Sequence, residues 1–384
     1  MKVEQQKIID WRRHFHLHPE LSGEERETAL FIAQLLRSWG LTVTEHIGGG
    51  YGLIGVLEGD PGYQCAALRA DMDALPVMED SSHSCRSLID GKMHACGHDA
   101  HLAMVLGAAE ALAKDPPPGT VKFIFQPHEE RKPGGARQMI AAGVLERPDV
   151  DAIIATHVTN SFPLGTIGLS EGAVMAASDD FDLVIRGKSG HGAIPQQTVD
   201  PIAVAAQLIT AYHQIVSRRI DPILPAVLSV CSLHTIDTHN VIPEELVLKG
   251  TVRCFDLEVR DKIRTEMYQV AAGICSAWGA SFELSYLEGY PPVINDIALT
   301  AQMRQAAQTV QGVRAVKVER PPMGGEDFAI FAAQCPGVFF FTGTGSERCQ
   351  APWHDYAFDI EEDALCLGAQ VLEAGARLLA GKKK

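Results

Sequence analysis

The sequence predicts an α/β protein in which helices flank a mixed sheet and a smaller α+β domain is inserted. Apolar runs of strand length alternate with amphipathic stretches of helix length in residues 1–178, and the alternation resumes in residues 293–384. The elements of residues 179–292 have another order: strand, helix, two strands, helix and strand. That order is typical of a ferredoxin-like antiparallel sheet with two helices on one face. A length of 384 residues also favours two domains over one.

The elements of the first segment follow from apolar periodicity and from residues that begin helices. Ser22 and Glu25 have the spacing of a capping box, which predicts a helix from there to about Trp39. The other elements predicted for residues 1–178 are helices at 4–17, 98–113 and 136–142 and strands at 41–46, 52–58, 64–70, 121–125 and 151–156.

In the inserted segment, Asp200 and Pro201 are an N-cap and a first-turn proline, and they predict the start of a helix. A second amphipathic helix carries Val259, Ile263 and Met267. The strands predicted for this segment are 181–187, 226–235, 246–254 and 281–287. The elements predicted after it are a helix at 297–311, strands at 314–318 and 337–341, and a last helix at about 360–380.

Composition and charge exclude several classes of function. The formal net charge of −15 argues against a nucleic-acid partner, because phosphate binding needs a basic surface. No apolar run approaches the roughly 20 residues of a membrane span, and the first 13 residues do not resemble a signal peptide. The nine cysteines are odd in number and widely spaced, so we expect reduced thiols and a cytoplasmic protein.

The densest cluster of chemically active side chains lies at residues 93–101, Met-His-Ala-Cys-Gly-His-Asp-Ala-His. Thiolate, neutral imidazole and carboxylate are the ligands that zinc and related divalent ions prefer. An apolar helical pattern follows directly, so the cluster would present ligands from the start of a helix. Three other histidines, His14, His16 and His18, cannot share one helix face, and we assign them a structural role.

Further polar side chains follow predicted strands, where open α/β sheets place their active sites. Asp71 and Asp73 follow one strand, His157 is placed at the end of another, and His354 comes late in the chain. Taken singly, an Asp in a turn or a core histidine explains each of them. Residues 129–130, Glu-Glu, end a third strand, and their side chains should point in opposite directions. One glutamate could therefore bind a metal while the other serves as a general base.

Five strings together resemble a known family: Leu-Arg-Ala-Asp-Met-Asp-Ala-Leu-Pro, Met-His-Ala-Cys-Gly-His-Asp, Phe-Gln-Pro-x-Glu-Glu, Gly-His-Gly-Ala-x-Pro and Gly-Glu-Asp-Phe. They are similar to the two-metal amidohydrolases of the aminoacylase, hippurate hydrolase and indoleacetyl-amino-acid hydrolase type, which include related carboxypeptidases. The resemblance covers essentially the whole chain in the same order. It implies a zinc-peptidase-like catalytic, metal-binding domain in residues 1–178 and 293–384, and a lid or dimerisation domain in residues 179–292.

The resemblance also implies roles for individual residues. Two divalent ions per subunit, zinc, manganese or cobalt, would be held by Cys96, His98, Glu130, His157 and His354, with Cys96 as the bridging thiolate. A metal-bound hydroxide would attack the amide, Glu129 would be the general base, and Asp71 would orient the site. His191 would polarise the substrate carbonyl. The substrate carboxylate would be held by Asn240, Arg253, Gly324 and Gly325.

Several residues depart from the family pattern near the expected pocket: His128, Gln196, Thr198, Arg131-Lys132-Pro133 and the stretch 79–90. They replace neither a ligand nor the base, so they bear on the choice of substrate rather than on hydrolysis. The acyl group, the amino acid, its stereochemistry and the native metal stay open.

The leading interpretation is hydrolysis of N-acyl amino acids by a homodimer or higher homo-oligomer, and a carboxypeptidase acting on short peptides is the nearest alternative. A non-catalytic metal-binding relative is less favoured because it would have no need of Glu129. A cysteine hydrolase with Cys96 as nucleophile and His98 or His101 as base ranks below both.

Overall fold

The computed structural model describes residues 4–384, and the described chain divides into two compact units. The first unit comprises the chain up to Val174 together with Val293–Arg320 and Asp327–Lys384. The second unit comprises Met175–Pro292 and Pro321–Glu326. None of the helices in residues 4–384 is both long and apolar enough to cross a membrane.

Strands and helices alternate along the described residues. The strands are β1 (Thr42–Ile47), β2 (Gly52–Leu57), β3 (Ala66–Asp71), β4 (Val121–Gln126), β5 (Ala152–Pro163), β6 (Thr166–Gly168), β7 (Gly172–Met175), β8 (Ala177–Arg186), β9 (Gly190–His191), β10 (Ala226–His234), β11 (Val241–Ile242), β12 (Glu245–Cys254), β13 (Ser281–Tyr290), β14 (Val293–Asn295), β15 (Arg314–Val316) and β16 (Gly337–Gly345). The helices are α1 (Gln5–Leu17), α2 (Arg26–Ser38), α3 (His98–Lys114), α4 (Gly135–Ala141), α5 (Pro201–Arg219), α6 (Leu257–Trp278), α7 (Ile297–Gln308), α8 (Phe328–Ala332) and α9 (Asp363–Ala380).

The first unit is built on an eight-stranded sheet with the order β1-β2-β4-β3-β5-β16-β6-β15. Its central neighbours β4, β3, β5 and β16 are parallel, whereas β1, β2 and β4 pair antiparallel. Helices α3 and α9 pack on each other and on β3 and β5, and every residue from His98 to Leu112 is buried. Strands that are buried on both faces explain the continuous apolar runs of the sequence. The predicted mixed α/β fold is confirmed.

The second unit contains a four-stranded antiparallel sheet with the order β10-β12-β8-β13. Helices α5 and α6 pack on each other and on β8 and β12, and their apolar faces bury Phe181 and Tyr212 with ring centroids 6.1 Å apart. Asp200 caps α5 by accepting a hydrogen bond from the backbone of Ile202 at 2.8 Å, and Pro201 occupies the first turn. Strand order and connectivity are those of a ferredoxin-like unit.

Two predictions about secondary structure are wrong. Ser22 and Glu25 do not form a capping box, because α2 begins at Arg26 and both side chains bond to other parts of the first unit. His157 does not end its strand. It lies inside β5, which continues to Pro163 because its later residues still pair with β16.

Candidate metal centre

Residues 96–98, Cys-Gly-His, bring two ligand types to the start of α3 through a tight turn. Gly97 lies between them with φ of 87°, a left-handed conformation that favours glycine. A Cβ atom on Gly97 would lie 2.4 Å from Cγ2 of Val158 in β5, so a side chain would not fit. The short turn therefore brings the Cys96 thiol and the His98 imidazole directly against the neighbouring strand.

The imidazole of His98 is oriented by the chain that follows β3. Its Nδ1 lies 2.8 Å from the backbone oxygen of Asp73, so Nδ1 carries the proton and donates it there. Nε2 is thereby left as an acceptor, and it is buried with no hydrogen-bond partner among the described residues. Metal-binding histidines are commonly held in this way, with one ring nitrogen donating and the other free to bind the ion.

Cys96 and His157 face each other across the same space. The thiol sulfur lies 3.4 Å from Nε2 of His157, while Nδ1 of His157 donates to the backbone oxygen of Val158 at 2.8 Å. Both residues are buried, at 6% and 4% exposure, respectively. His157 therefore directs Nε2, the ring nitrogen that does not carry the proton, toward the Cys96 thiol.

Glu130 and His354 complete the cluster from two loops. Oε1 of Glu130 is buried without a hydrogen-bond partner among the described residues, and it lies 3.8 Å from Nε2 of His98 and 3.4 Å from Nε2 of His354. His354 has φ of 67°, and its backbone donates to Ala95 at 2.8 Å, next to Cys96. Its side chain is 55% exposed, so it closes the cluster on the solvent side.

The five side chains fit two neighbouring cations. Ligand atoms of Cys96, His98 and His157 lie within 4.8 Å of one another, and so do those of Cys96, Glu130 and His354. Cys96 belongs to both groups, as a thiolate shared by two ions would. A further group joins His98 and Glu130 with Glu129, and divalent ions would satisfy Nε2 of His98 and Oε1 of Glu130, which have no hydrogen-bond partner among the described residues.

The charge around the cluster also favours cations. Burial and the nearby carboxylates, chiefly Glu130 and Glu129, raise the pKa of the Cys96 thiol well above its usual range. Burial lowers the pKa of His98, but the Asp71 and Asp73 carboxylates more than offset this and raise it to about 10. Both shifts reflect an excess of negative charge. A divalent ion would compensate that charge and would favour the thiolate and the neutral imidazole.

Asp71 lies beside the cluster and bonds to two other side chains. Its Oδ1 lies 2.6 Å from Nδ1 of His101, and its Oδ2 accepts from Nη1 of Arg69 at 2.7 Å. Although burial acts to raise it, the charges of His98 and His101 hold the pKa of Asp71 well below its usual range. Nε2 of His101 accepts from the backbone of Val158 at 3.0 Å, so both of its nitrogens have partners. His101 therefore supports β5 and offers no free ligand atom.

Glu129 is 6% exposed and lies next to the ligand atoms. Its Oε2 is 4.0 Å from Nε2 of His98, and its backbone donates to Oδ1 of Asp73 at 3.1 Å. Glu130 donates from its own backbone to the other oxygen of Asp73 at 3.0 Å. The two glutamates of the pair are thus fixed through one buried carboxylate. The prediction that their side chains point in opposite directions is wrong, because β4 ends at Gln126 and both carboxylates lie within 4.0 Å of Nε2 of His98.

The remaining predicted site residues belong to the second unit. His191 in β9 pairs with Val241 in β11, and its exposed ring accepts from the backbone of Ala193 at 3.0 Å. Asn240 accepts at its backbone oxygen from Gly192 at 2.8 Å, so it is a neighbour of His191.

Arg253 and the glycine pair lie elsewhere in the second unit. Nη1 of Arg253 donates to the backbone oxygen of Asp179 at 3.1 Å. Gly324 accepts from the backbone of Ala176 at 3.0 Å, and Gly325 packs so closely on Ser178 that a Cβ would lie 2.4 Å from it.

No role was predicted for Arg69, which supports the centre through Asp71. Arg69 is 1% exposed in β3 and donates to Asp71, Gln126 and Asp327 at 2.7–3.0 Å. Burial raises the pKa of Asp327 to about 6 although the Arg69 charge acts to lower it. The sequence contained a signal for this role, because an arginine inside an otherwise apolar strand needs a buried carboxylate as its partner.

Comparisons with known proteins identify the family of the chain. The sequence profile described as Peptidase family M20/M25/M40 matches residues 67–377. An N-acyl-L-amino acid amidohydrolase of Geobacillus stearothermophilus is 44% identical over 75% of this chain and 78% of its own. Thermostable carboxypeptidase 2 of Saccharolobus solfataricus is 39% identical over 96% of this chain and 95% of its own.

A solved structure is similar over nearly the same length. It is a dinuclear metal-binding peptidase of the M20 family from Bacillus subtilis, with a TM-score of 0.85, 36% identity and coverage of 98% of both chains. The family match spans far more than half of the chain, and the resemblance drawn from the motifs is confirmed. The protein belongs to Peptidase family M20/M25/M40, and thus to the metal-dependent hydrolases.

Proposed function

We propose that the protein hydrolyses the amide bond of N-acyl amino acids, with Glu129 as general base beside two divalent ions. The ions would be held by Cys96, His98, Glu130, His157 and His354. One observation carries the proposal: within residues 4–384, buried ligand atoms of His98 and Glu130 have no hydrogen-bond partner, and the carboxylate of Glu129 lies 4.0 Å from that of His98. The name of the Geobacillus stearothermophilus relative supports the substrate class.

Glu129 supplies the proton transfers that amide hydrolysis needs. Bound divalent ions lower the pKa of coordinated water from about 15.7 to about 7 and polarise a carbonyl oxygen. The Glu129 carboxylate accepts the proton of the attacking water and returns it to the leaving nitrogen. Glu129 is buried, so bulk water has little access to its carboxylate. The hydrogen bond from its backbone N–H to Asp73 fixes the position of the residue.

The second unit would bind the substrate and complete the catalytic groups. We propose that His191 donates to the substrate carbonyl oxygen, and that Asn240, Arg253 and the backbone of Gly324 and Gly325 hold its carboxylate. A planar guanidinium suits a carboxylate because it donates to both oxygens. The same proposal makes the second unit a lid and dimerisation domain of a cytoplasmic homodimer or higher homo-oligomer, and the nine free cysteines agree with a reducing compartment.

The departures from the family pattern bear on substrate choice, and a carboxypeptidase is the nearest alternative. The Saccharolobus solfataricus relative bears that name, and the same carboxylate-binding groups would serve a peptide. We propose that His128, Gln196 and Thr198 influence which acyl group is accepted.

A cysteine mechanism has one point in its favour, the 3.4 Å separation of Cys96 and His157. It has stronger points against it. The pKa of Cys96 is raised well above its usual range, and burial lowers the pKa of His157 well below its own, so neither thiolate nor imidazolium is favoured.

Release of free amino acid from a panel of substrates tests the proposal. The panel contains N-acetyl, N-benzoyl and indoleacetyl amino acids together with dipeptides, each with metal-loaded and chelator-treated protein. Hydrolysis of N-acyl amino acids that disappears with chelator supports the proposal. Preference for dipeptides would replace it with the carboxypeptidase, and full hydrolysis after chelation would replace it with the cysteine mechanism.

A further inference from the structure

Three consecutive backbone N–H groups, those of residues 128–130, donate to two buried carboxylates. His128 donates to Oε1 of Glu25 at 2.8 Å, Glu129 to Oδ1 of Asp73 at 3.1 Å, and Glu130 to Oδ2 of Asp73 at 3.0 Å. Glu25 is 0% exposed and Asp73 is 1% exposed. We infer that Glu25 and Asp73 form a clamp that positions the Glu129–Glu130 pair, and that both act as positioning residues for the proposed reaction.

The backbone at His128 shows what the clamp holds. His128 has φ of 62°, a left-handed conformation that L residues other than glycine rarely adopt. Its N–H is held by Glu25, and its carbonyl oxygen accepts from the backbone of Gly135 at 2.9 Å. These two bonds fix the direction in which the chain enters the glutamate pair. Rotation at His128 would move the base and the proposed ligand together.

Asp73 links the clamp to the proposed metal ligands. Its backbone oxygen accepts from Nδ1 of His98 at 2.8 Å, while its side chain holds Glu129 and Glu130. Ser22 donates to Oδ2 of the same carboxylate at 2.5 Å. One residue therefore sets the orientation of a ligand imidazole, a ligand carboxylate and the base.

The Glu25 half of the clamp is poorly explained as a device for stability. Carboxylates lose hydration on burial, and the loss is unfavourable unless charged partners compensate it. Glu25 has two backbone partners, Gly23 at 2.9 Å and His128 at 2.8 Å, and burial and the Asp73 charge raise the pKa of Glu25 to about 7. The Glu25 side chain does not cap α2, and two backbone N–H groups in the first turn of that helix donate to Glu20 instead. Burial of Glu25 therefore fixes the geometry of the glutamate pair at some expense of stability.

The clamp is tested with Asp73→Asn and Glu25→Gln, and Glu20→Gln is the matched control. Glu20 is also a carboxylate that accepts from two backbone groups, Glu27 at 3.1 Å and Thr28 at 2.8 Å, but it holds α2 and not the glutamate pair. An amide at any of these positions directs an N–H group at a backbone N–H group. All three variants should therefore lose some stability, but only the clamp variants should disturb the glutamate pair.

The readouts are kcat, KM and the affinity for Mn²⁺ or Zn²⁺ measured by calorimetry on the intact chain. For Asp73→Asn we expect kcat to fall by about 10²-fold with little change in KM, because small misplacements of catalytic groups have effects of this size. Metal affinity should fall by about 10–100-fold, as is typical when a group that orients a ligand is removed. Glu25→Gln should show the same pattern with a smaller loss, and Glu20→Gln should keep wild-type kcat and metal affinity.

The inference rests on the proposed function for kcat, whereas metal affinity tests it independently of any substrate. If the wild type hydrolyses none of the panel but Asp73→Asn still binds metal more weakly than Glu20→Gln does, the proposed function fails and the clamp stands. If the clamp variants match Glu20→Gln in kcat and in metal affinity, the clamp is wrong. Should Asp73→Asn not fold, Glu25→Gln and Ser22→Ala are compared with Glu20→Gln by the same criteria.

Discussion

The first unit contains two buried clusters of histidines and carboxylates that look alike in composition and differ in pairing. In the candidate metal centre, Nε2 of His98 and Oε1 of Glu130 have no hydrogen-bond partner among the described residues. In the second, which we call the α1 cluster and which consists of Arg12, His16, Glu79 and Asp99, an arginine and a histidine form ion pairs with both carboxylates. His16 bonds to Asp99 at 2.7 Å and to Glu79 at 2.8 Å, and Arg12 lies 2.8 Å from Asp99.

The difference lies in where the positive charge comes from. Arg12 supplies a permanent cation to the α1 cluster, so its carboxylates are neutralised by the chain itself. Beside the metal centre, Arg69 pairs with Asp71, which is not a proposed ligand, and divalent ions would supply the positive charge at the ligand atoms themselves. Histidines and carboxylates that cluster in a core therefore indicate a metal site only when their ion pairs and hydrogen bonds are known. Substitutions in the two clusters should accordingly separate activity from stability.

The largest effect expected is on catalysis by Glu129→Gln. The amide cannot accept a proton, so kcat should fall by about 10²–10⁴-fold while metal content stays unchanged. Glu79→Gln makes the same exchange in the α1 cluster, where it should lower the free energy of unfolding and leave kcat at the wild-type value. Steady-state kinetics and metal analysis of both variants check this, and equal losses of kcat in the two would remove the distinction between the clusters.

Breaking the α1 cluster should act on stability. Asp99→Asn removes the carboxylate that Arg12 and His16 share at 2.8 and 2.7 Å. Loss of one partner of a buried ion pair costs about 3–5 kcal/mol, which urea unfolding should record. Metal bound per folded molecule should not change. Loss of metal with unchanged stability would assign Asp99 to the centre instead.

A smaller effect concerns pH. Burial and the Arg12 charge lower the pKa of His16, but Asp99 and Glu79 more than offset them, so its pKa is raised in the folded protein. The folded state then binds this proton more tightly than the unfolded chain does, and the stabilisation is complete below about pH 6.5 and fades as pH rises through the folded pKa. His16→Gln should therefore cost more stability at pH 6 than at pH 9. Unfolding free energies of wild type and variant at both pH values check it, and an equal cost at both would contradict it.

The sequence was sufficient for the architecture because strand and helix periods depend on local apolar patterning. The sequence also predicted which side chains of the first unit lie at the metal centre, because Cys96 and His98 share one short turn and the glutamate pair follows a buried strand. It was insufficient where partners are distant along the chain. His157 was placed at a strand end because pairing with β16 leaves no local mark.

Ser22 and Glu25 illustrate the same limit. Their spacing matches a capping box, a local motif, yet their partners are Asp73 and His128, about 50 and 100 residues away. The capping-box spacing predicts hydrogen bonds between Ser22 and Glu25, but both side chains bond to residues that are distant in sequence. The buried pair of Arg69 and Asp327 is a further contact that no local spacing indicates.

A titration of chelator-stripped protein with Mn²⁺ or Zn²⁺, while hydrolysis of the best N-acyl amino acid is followed, tests the two-metal mechanism. We expect no hydrolysis without metal and full hydrolysis once two ions are bound per chain. Full hydrolysis by the stripped protein, with metal analysis showing no bound ion, would contradict it.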